Sequence, residues 1–173
     1  MTDQLRALIR DVPDFPKSGI LFRDITTLLS DAAGLRSTTH ALAGLFAESG
    51  DIDLVVGIEA RGFILGTPVA LELEAGFVPA RKPGKLPADV VSASYDLEYG
   101  STSIEIHTDA IQPGARVLIV DDVLATGGTA RAVRGLVDQL QGEIVGLAFL
   151  LELRDLNGRD GLDDVRIESV LQY

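Results

Sequence analysis

The sequence predicts an α/β fold in which an open parallel sheet is flanked by helices and carries an inserted β-hairpin. Runs of branched apolar residues recur along the chain, and such runs are typical of strands buried on both faces of a parallel sheet. Segments with a helical spacing of apolar residues lie between them. Because this alternation continues through all 173 residues without a repeat or linker, we expect one domain with right-handed crossovers.

The first fifty residues predict two helices separated by a broken segment. Residues 2–10 carry apolar side chains on one helical side, and Pro13 and Pro16 disfavour any continuation of that helix. Residues 20–25 predict a brief extended segment. Ser30 or Asp31 can cap a second helix that runs to about residue 47.

The sheet follows from the remaining apolar runs. Strands are predicted at 54–57, 77–80, 117–120, 144–153 and 165–171, the last one weakly. Residues 63–73 predict an internal helix, in which Pro68 indicates a kink or a later start. Residues 133, 136, 137 and 140 have helical spacing, and 154–164 is a charged loop. Ligands bind at the carboxyl ends of strands in such sheets, so we expect the turns after residues 56, 80 and 120 to be neighbours.

Residues 90–108 interrupt the alternation of strands and helices. Apolar and polar residues alternate there on either side of a turn that contains Gly100, which predicts a β-hairpin. A hairpin inserted in a parallel sheet and flanked by Gly, Lys and Pro is a candidate lid over a site. A hairpin that is fixed at the sheet edge fits the pattern equally well.

Composition restricts the possible functions. There are 26 acidic and 15 basic residues, a net charge of −11, which disfavours a nucleic-acid surface. The chain has no Cys, no signal-peptide pattern and no apolar run of membrane-spanning length, so we expect a cytoplasmic protein. Arg61, Arg81, Lys82 and Lys85 nevertheless cluster in one short region. They indicate either a site for a small polyanion or ordinary solvated loop cations.

The most informative segment is 117–129. A buried strand leads into Asp121 and Asp122, then into the small-residue turn 125–129 and a helix. Backbone N–H groups at such a turn and helix start bind anions, whereas the two carboxylates can accept hydrogen bonds from sugar hydroxyls. Neither the nucleoside-triphosphate P-loop nor the dinucleotide fingerprint is present after a predicted strand. The segment therefore predicts a site for a phosphorylated sugar, although capping or metal binding would also use an acid pair.

Segment 117–129 resembles the phosphoribosyl pyrophosphate signature of the type I phosphoribosyltransferases. Segments 15–25, 57–63, 94–100 and 169–173 are similar to the adenine phosphoribosyltransferases within that family. The resemblance covers essentially the whole chain in the same order. It implies one phosphoribosyltransferase domain over 1–173, with an N-terminal hood that binds the base over 1–30 and a flexible lid over about 82–108.

The resemblance implies that the chain converts adenine and phosphoribosyl pyrophosphate to AMP and pyrophosphate. It assigns the 5′-phosphate to Ala125, Thr126, Gly127, Gly128 and Thr129, and the ribose hydroxyls to Asp121 and Asp122. It assigns the pyrophosphate to Arg61, Arg81, Lys82 and Lys85, with Arg61 and Lys85 acting in catalysis. These cations would stabilise the charge of the leaving group while the ribose becomes cationic. Glu59 and Ala60, in the same turn as Arg61, are also implied to bind substrate.

The same resemblance assigns adenine to the hood. The backbone groups of Leu21 and Arg23 would read the purine edge, Phe22 would supply an aromatic surface, and Glu98 would be the general acid/base beside Tyr99. It also implies a homodimer, in which Lys85 comes from the same chain or its partner. Mg²⁺ would be held mainly by substrate and water near Asp121 and Asp122, with no protein ligand assigned. His40 and His107 are expected to be structural.

Three other functions are compatible with parts of the pattern. The first is a family member that uses hypoxanthine, xanthine or orotate, against which the segment 22–24 and Glu98 argue. The second is a nucleic-acid-binding regulator that keeps the sugar-phosphate site, but it would need a basic face or an added domain. The third is a nucleotide-binding module without catalysis, in which Glu98 would have no role.

Overall fold

The structure is a computed structural model that describes residues 2–96 and 101–173. The strands are β1 (Arg10–Pro13), β2 (Leu21–Asp24), β3 (Leu54–Ile58), β4 (Gly76–Ala80), β5 (Val90–Asp96), β6 (Ser101–His107), β7 (Arg116–Leu124), β8 (Glu143–Glu152) and β9 (Ile167–Gln172). The helices are α1 (Thr2–Ala7), α2 (Thr26–Ser30), α3 (Ala32–Gly44), α4 (Arg61–Glu72) and α5 (Gly128–Gln139), and a 3-10 turn spans Arg154–Leu156.

The main sheet has five parallel strands in the order β4-β3-β7-β8-β9. This arrangement confirms the predicted open parallel sheet. Strand β3 lies between β4 and β7, so the carboxyl ends of these three strands meet at one edge. The turns that the sequence predicted to be neighbours therefore lie at that edge.

Strand β7 explains why helices cover both faces of this sheet. Residues 117–120 are completely buried. Val117 and Ile119 pack with apolar side chains of α5 and the hairpin β5–β6, whereas Leu118 and Val120 pack with α1, α3 and α4. Successive side chains of a strand point to opposite faces, so a run of four branched residues needs an apolar layer on each side.

Several element boundaries differ from the sequence-based expectation. Strand β7 does not end before the two acids but continues to Leu124, with Asp121 paired to Phe149 of β8. Helix α4 begins at Arg61 and runs through Pro68. Helix α1 ends at Ala7, and α2 was not predicted. The Asp31 carboxylate accepts a hydrogen bond from the Gly34 N–H at 2.6 Å, which identifies Asp31 as the cap of α3.

Two antiparallel hairpins lie outside the main sheet. The pair β1–β2 belongs to the hood, and the pair β5–β6 is the hairpin predicted from the alternating pattern. Ile104 and Ile106 of β6 are buried in the core beside α5. The turn of this hairpin lies outside the described residues, and the limits of hood and lid stay predictions. No helix in the described part of the chain is long and apolar enough to cross a membrane.

Candidate active site

The turn between β7 and α5 forms a cavity of about 390 Å³ at the carboxyl edge of the sheet. Gly127 precedes α5 with φ of 78°, a left-handed conformation that favours glycine. A Cβ at Gly127 would lie 2.1 Å from the carbonyl oxygen of Gly158. Since the first N–H groups of a helix have no intrahelical partner, the start of α5 offers donors to an anion in this cavity. Its lining comprises residues 58–61, 82, 95, 121–130 and 149.

Asp122 and Arg61 form an ion pair at the floor of this cavity. The Arg61 Nε–H donates to Asp122 Oδ2, and Asp122 is only 6% exposed. The Asp122 N–H donates to Asp121 Oδ1 at 2.8 Å. A Cβ at Gly62 would lie 2.9 Å from the same Asp121 oxygen, so glycine at this position lets α4 approach the acid pair. The structure thus brings together the predicted acids and the first predicted cation.

The electrostatics of the acid pair favour a ligand that brings positive charge. Burial, together with the negative charge of Asp122, raises the pKa of Asp121 well above its usual value. Burial acts to lower the pKa of Arg61, but the hydrogen bond and charge of Asp122 outweigh it, so this pKa is raised. Arg61 therefore stays cationic, while Asp121 gains stability from any further cation placed beside it.

Glu59 organises the other predicted cations. Its Oε2 accepts the Lys82 backbone N–H at 2.9 Å and the Arg81 Nε–H at 3.3 Å. The Arg81 guanidinium also donates to the Lys85 carbonyl oxygen at 3.1 Å. Lys82 and Glu59 line the cavity, whereas Arg81 and Lys85 are not among its lining residues and Lys85 is exposed. The roles assigned to Arg81 and Lys85 stay predictions.

A second cavity of about 430 Å³ lies under the hood and is lined by Val12, Phe15, Phe22, Arg23, Asp24, Ile25, Thr26 and Arg61. Phe15 and Phe22 meet edge to face, with their ring centres 5.2 Å apart. Phe22 and Arg23 were predicted here from the sequence, but Leu21 is 46% exposed and does not line the cavity. Arg61 borders both cavities. The cavity lined by Phe15 and Phe22 therefore meets the cavity at the start of α5 at Arg61.

Sequence reasoning missed the residues that support the turn 125–129, which the sequence predicted to bind a phosphate. The Arg131 guanidinium donates to the carbonyl oxygens of Thr126 at 3.0 Å and Asp160 at 2.7 Å. Arg131 lies in the first turn of α5, so a cation at the start of the predicted helix is the signal that could have identified it. No local signal indicates Gly158, because its contact with Gly127 crosses thirty-one positions of the sequence. Tyr95 and Phe149, which line the first cavity, were also missed. Glu98 and Tyr99 lie outside the described residues.

Comparison with known proteins agrees with this geometry. A family model described as "Phosphoribosyl transferase domain" matches residues 24–170. The adenine phosphoribosyltransferase of Trichormus variabilis is 59% identical over 170 residues, which cover 98% of this chain and 99% of the relative. The chain belongs to the adenine phosphoribosyltransferase family. The family relative from Halothermothrix orenii is 56% identical over 169 residues, covering 98% of this chain and 99% of its own.

Solved structures of adenine phosphoribosyltransferases share the fold. The one from Thermoanaerobacter pseudethanolicus is 48% identical, with a TM-score of 0.95 over 100% of both chains. The Saccharomyces cerevisiae enzyme, complexed with an imino-altritol bisphosphate and adenine, is 39% identical with a TM-score of 0.95 over 98% of both chains. The sequence resemblance to this family and the type I phosphoribosyltransferase-like fold are therefore confirmed.

Proposed function

We propose that this protein is an adenine phosphoribosyltransferase that converts adenine and phosphoribosyl pyrophosphate to AMP and pyrophosphate in purine salvage. The observation that carries this proposal is the meeting of an aromatic cavity and an anion cavity at Arg61. A purine fits the first, a ribose phosphate fits the second, and the reacting carbon C1′ then lies between them. Family membership at 59% identity supports the same activity.

At the phosphate end, residues 125–129 hold the 5′-phosphate through backbone N–H groups and the hydroxyls of Thr126 and Thr129. The partial positive charge at the start of α5 adds to this attraction. Asp121 and Asp122 accept hydrogen bonds from the ribose hydroxyls. Because both acids belong to a strand, their position relative to the phosphate is fixed before substrate arrives.

The bond from ribose C1′ to pyrophosphate breaks as an adenine ring nitrogen bonds to C1′. The ribose becomes oxocarbenium-like in between, and the two aspartates stabilise this positive charge. Arg61, Lys82, Arg81 and Lys85 stabilise the charge that develops on the departing pyrophosphate. Glu59 holds Arg81 and the Lys82 backbone in place for this purpose.

At the base end, Phe22 stacks on the purine, and the backbone of Leu21 and Arg23 reads its edge. The Arg23 side chain pairs with Asp11, which agrees with a backbone role for Arg23. Glu98, with Tyr99 beside it, accepts the proton that adenine loses. Closure of the segment 82–108 excludes water, which would otherwise capture the ribosyl cation.

We also propose that Mg²⁺ is required. The described residues contain no group of three or more His, Cys, Asp or Glu side chains able to hold a metal. Asp121 and Asp122 line the phosphate cavity, and Mg²⁺ commonly takes one or two carboxylates and completes its shell with substrate phosphates and water. The donor set therefore fits Mg²⁺ held mainly by substrate. When bound, Mg²⁺ neutralises pyrophosphate charge. Chelation should abolish turnover, and Mg²⁺ should restore it.

A homodimer is the assembly we propose. Ile64 and Leu71 are seven residues apart on one side of α4, and they are 48% and 76% exposed. Apolar side chains repeated on one helical face are typical of an interface. Sedimentation should give twice the chain mass, and a monomer would refute the assembly. We place the enzyme in the cytoplasm because its phosphorylated substrate does not cross membranes; cell fractionation tests this.

The deciding experiment is the formation of AMP from adenine, phosphoribosyl pyrophosphate and Mg²⁺, compared with hypoxanthine, xanthine and orotate. We expect turnover with adenine. Turnover with hypoxanthine but not with adenine would refute the proposed base. The variant Glu98→Ala should lose most activity, and unchanged turnover would remove the role assigned to Glu98.

A further inference from the structure

The hood needs contacts outside its own strands to hold the purine. Among residues 2–96 and 101–173, strands β1 and β2 pair only with each other and share no ladder with the main sheet. An isolated two-stranded hairpin is marginally stable in water. Leu5 and Ile9 before β1, and Ile25 and Leu28 after β2, are buried in the core. Strands β1 and β2 carry residues that line the purine cavity. Their position relative to the main sheet therefore depends on side-chain contacts.

Tyr173 provides a fixed surface next to the hood. Its backbone N–H donates to the Glu152 carbonyl oxygen at 2.9 Å, and its carbonyl oxygen accepts the Arg154 N–H at 3.0 Å. Glu152 ends β8 and Tyr173 follows β9, so the Tyr173 ring is attached to the end of the main sheet.

Two guanidinium groups of the hood lie over this ring. The Arg23 guanidinium carbon is 4.1 Å from the ring centre, and that of Arg6 is 4.3 Å from it. Arg23 also forms an ion pair with Asp11, its register partner in β1. Arg6 donates to the Gln172 carbonyl oxygen at 3.0 Å. Through Arg23, the Tyr173 ring is connected to both hood strands at once.

Arg23 also lines the cavity assigned to the purine, between Phe22 and Asp24, which line it too. We propose that Tyr173 is a positioning residue for the purine base, because its ring holds Arg23 and so places β2 over the base. This inference rests on the proposed function. Tyr173 lines neither cavity, so it acts through Arg23 and not on the substrate.

Loss of the Tyr173 ring should change KM for adenine and leave KM for phosphoribosyl pyrophosphate as it is. Cation–π contacts at partly exposed sites are modest, so loss of the ring should loosen the hood without unfolding the protein. We expect Tyr173→Leu to raise KM for adenine roughly three- to tenfold, in line with the strength of such contacts. KM for phosphoribosyl pyrophosphate should be unchanged, because the phosphate-binding turn lies on β7 and α5. The variant Tyr173→Phe keeps the aromatic face and should restore the wild-type KM.

The experiment measures both KM values and kcat for the wild type, Tyr173→Leu, Tyr173→Met and Tyr173→Phe, with thermal unfolding of each. A control is Arg166→Gln, which removes a cation–ring contact of 4.7 Å with Phe46 away from the hood, together with hydrogen bonds to the Leu45 carbonyl oxygen and Ser49. It should leave both KM values unchanged. Failure of the wild type to form AMP would refute the proposed function, whereas the comparison among variants tests Tyr173.

Three results would overturn the inference. The first is an unchanged KM for adenine in Tyr173→Leu and Tyr173→Met. The second is an equal rise of both KM values, which would indicate general destabilisation. The third is an equal defect in Tyr173→Phe, which would assign the effect to the hydroxyl group.

Discussion

The phosphate end of the site belongs to the main sheet, where β7, the turn 125–129 and α5 follow one another directly, whereas the base end belongs to a hairpin that is separate from that sheet. At the proposed phosphate end, the turn offers backbone N–H groups, and Gly127 permits the left-handed conformation that the turn requires. At the base end, side chains form the cavity. The element proposed to select the base therefore lies outside the main sheet, whereas the proposed phosphate site is built on that sheet.

The two ends also differ in the direction in which the pKa of a carboxylate is shifted. Burial and the charge of Asp122 raise the pKa of Asp121. A hydrogen bond from the Thr26 backbone, together with Arg10, lowers the pKa of Asp24 in the hood to about 2. The Asp24 carboxylate is thus stabilised by its own surroundings, whereas the ionised form of Asp121 is electrostatically unfavourable in the cavity. The ionised Asp121 therefore lowers the stability of the folded protein, whereas the ionised Asp24 in the hood raises it.

The largest effect is expected from closing the phosphate-binding turn. Gly127→Ala places a methyl group 2.1 Å from the Gly158 carbonyl oxygen and strains a left-handed backbone. We expect kcat/KM for phosphoribosyl pyrophosphate to fall about 100-fold, equivalent to about 2.7 kcal/mol. The matched control is Gly114→Ala, which has a φ of 79° but no atom within 4 Å of the new methyl. It should cost about 1 kcal/mol of unfolding free energy and leave the kinetics unchanged. Equal kinetics in the two variants would contradict the prediction.

The base end should respond most to loss of its aromatic wall. Phe22→Ala removes one ring of the Phe15–Phe22 pair that lines the hood cavity. Base stacking on an aromatic side chain contributes about 1–3 kcal/mol, so we expect KM for adenine to rise about tenfold or more. KM for phosphoribosyl pyrophosphate should stay the same. A rise in KM for phosphoribosyl pyrophosphate, with no rise in KM for adenine, would mean that the two ends are not independent.

A smaller effect on the phosphate end is expected from Arg131. Arg131→Met removes the donors to the Thr126 and Asp160 carbonyl oxygens but leaves residues 125–129, which are proposed to hold the phosphate, in place. KM for phosphoribosyl pyrophosphate should rise about fivefold, the equivalent of about one neutral hydrogen bond, and KM for adenine should not change. The control Arg134→Met lies on the same helix and loses only exposed ion pairs with Asp138 and Asp164. If both variants behave alike, Arg131 is no more than a surface residue.

The smallest effects concern stability and have opposite signs at the two ends. The pKa of Asp121 is raised from 3.8, so the folded state holds a proton that the unfolded state has lost, and stability falls as pH rises above about 3.8. Asp121→Asn should remove this fall and make the protein more stable at neutral pH. The pKa of Asp24 is lowered to about 2, so its contribution is present above 3.8 and is lost as pH falls towards 2. Asp24→Asn should therefore reduce the loss of stability at acidic pH.

Urea unfolding of the wild type and both variants between pH 2 and 8 measures these slopes. Opposite changes in the pH dependence would support the electrostatic difference between the two ends. A loss of stability at neutral pH in Asp121→Asn would instead show that the Asp121 carboxylate is favourable in the folded state.

Local pattern was sufficient for most of the fold. The strands at 54–57 and 117–120, the hairpin at 90–108 and a helix cap at Ser30 or Asp31 follow from burial, alternation and capping, which depend on neighbouring residues. The continuation of β7 through Asp121 and Asp122 was missed because two adjacent acids normally oppose a buried strand. Pairing with Phe149 and the ion pair with Arg61 overcome that preference.

The sequence by itself determined the strands of the sheet, the turn 125–129 and the resemblance to the family, because each depends on a contiguous pattern. Only the tertiary structure showed that Arg61 joins the two cavities, that Gly158 and Arg131 support the turn, and that Tyr173 lies beneath Arg23. These contacts join positions that are far apart in the chain. Which distant side chains meet is decided by strand order and helix packing, and no local pattern encodes it.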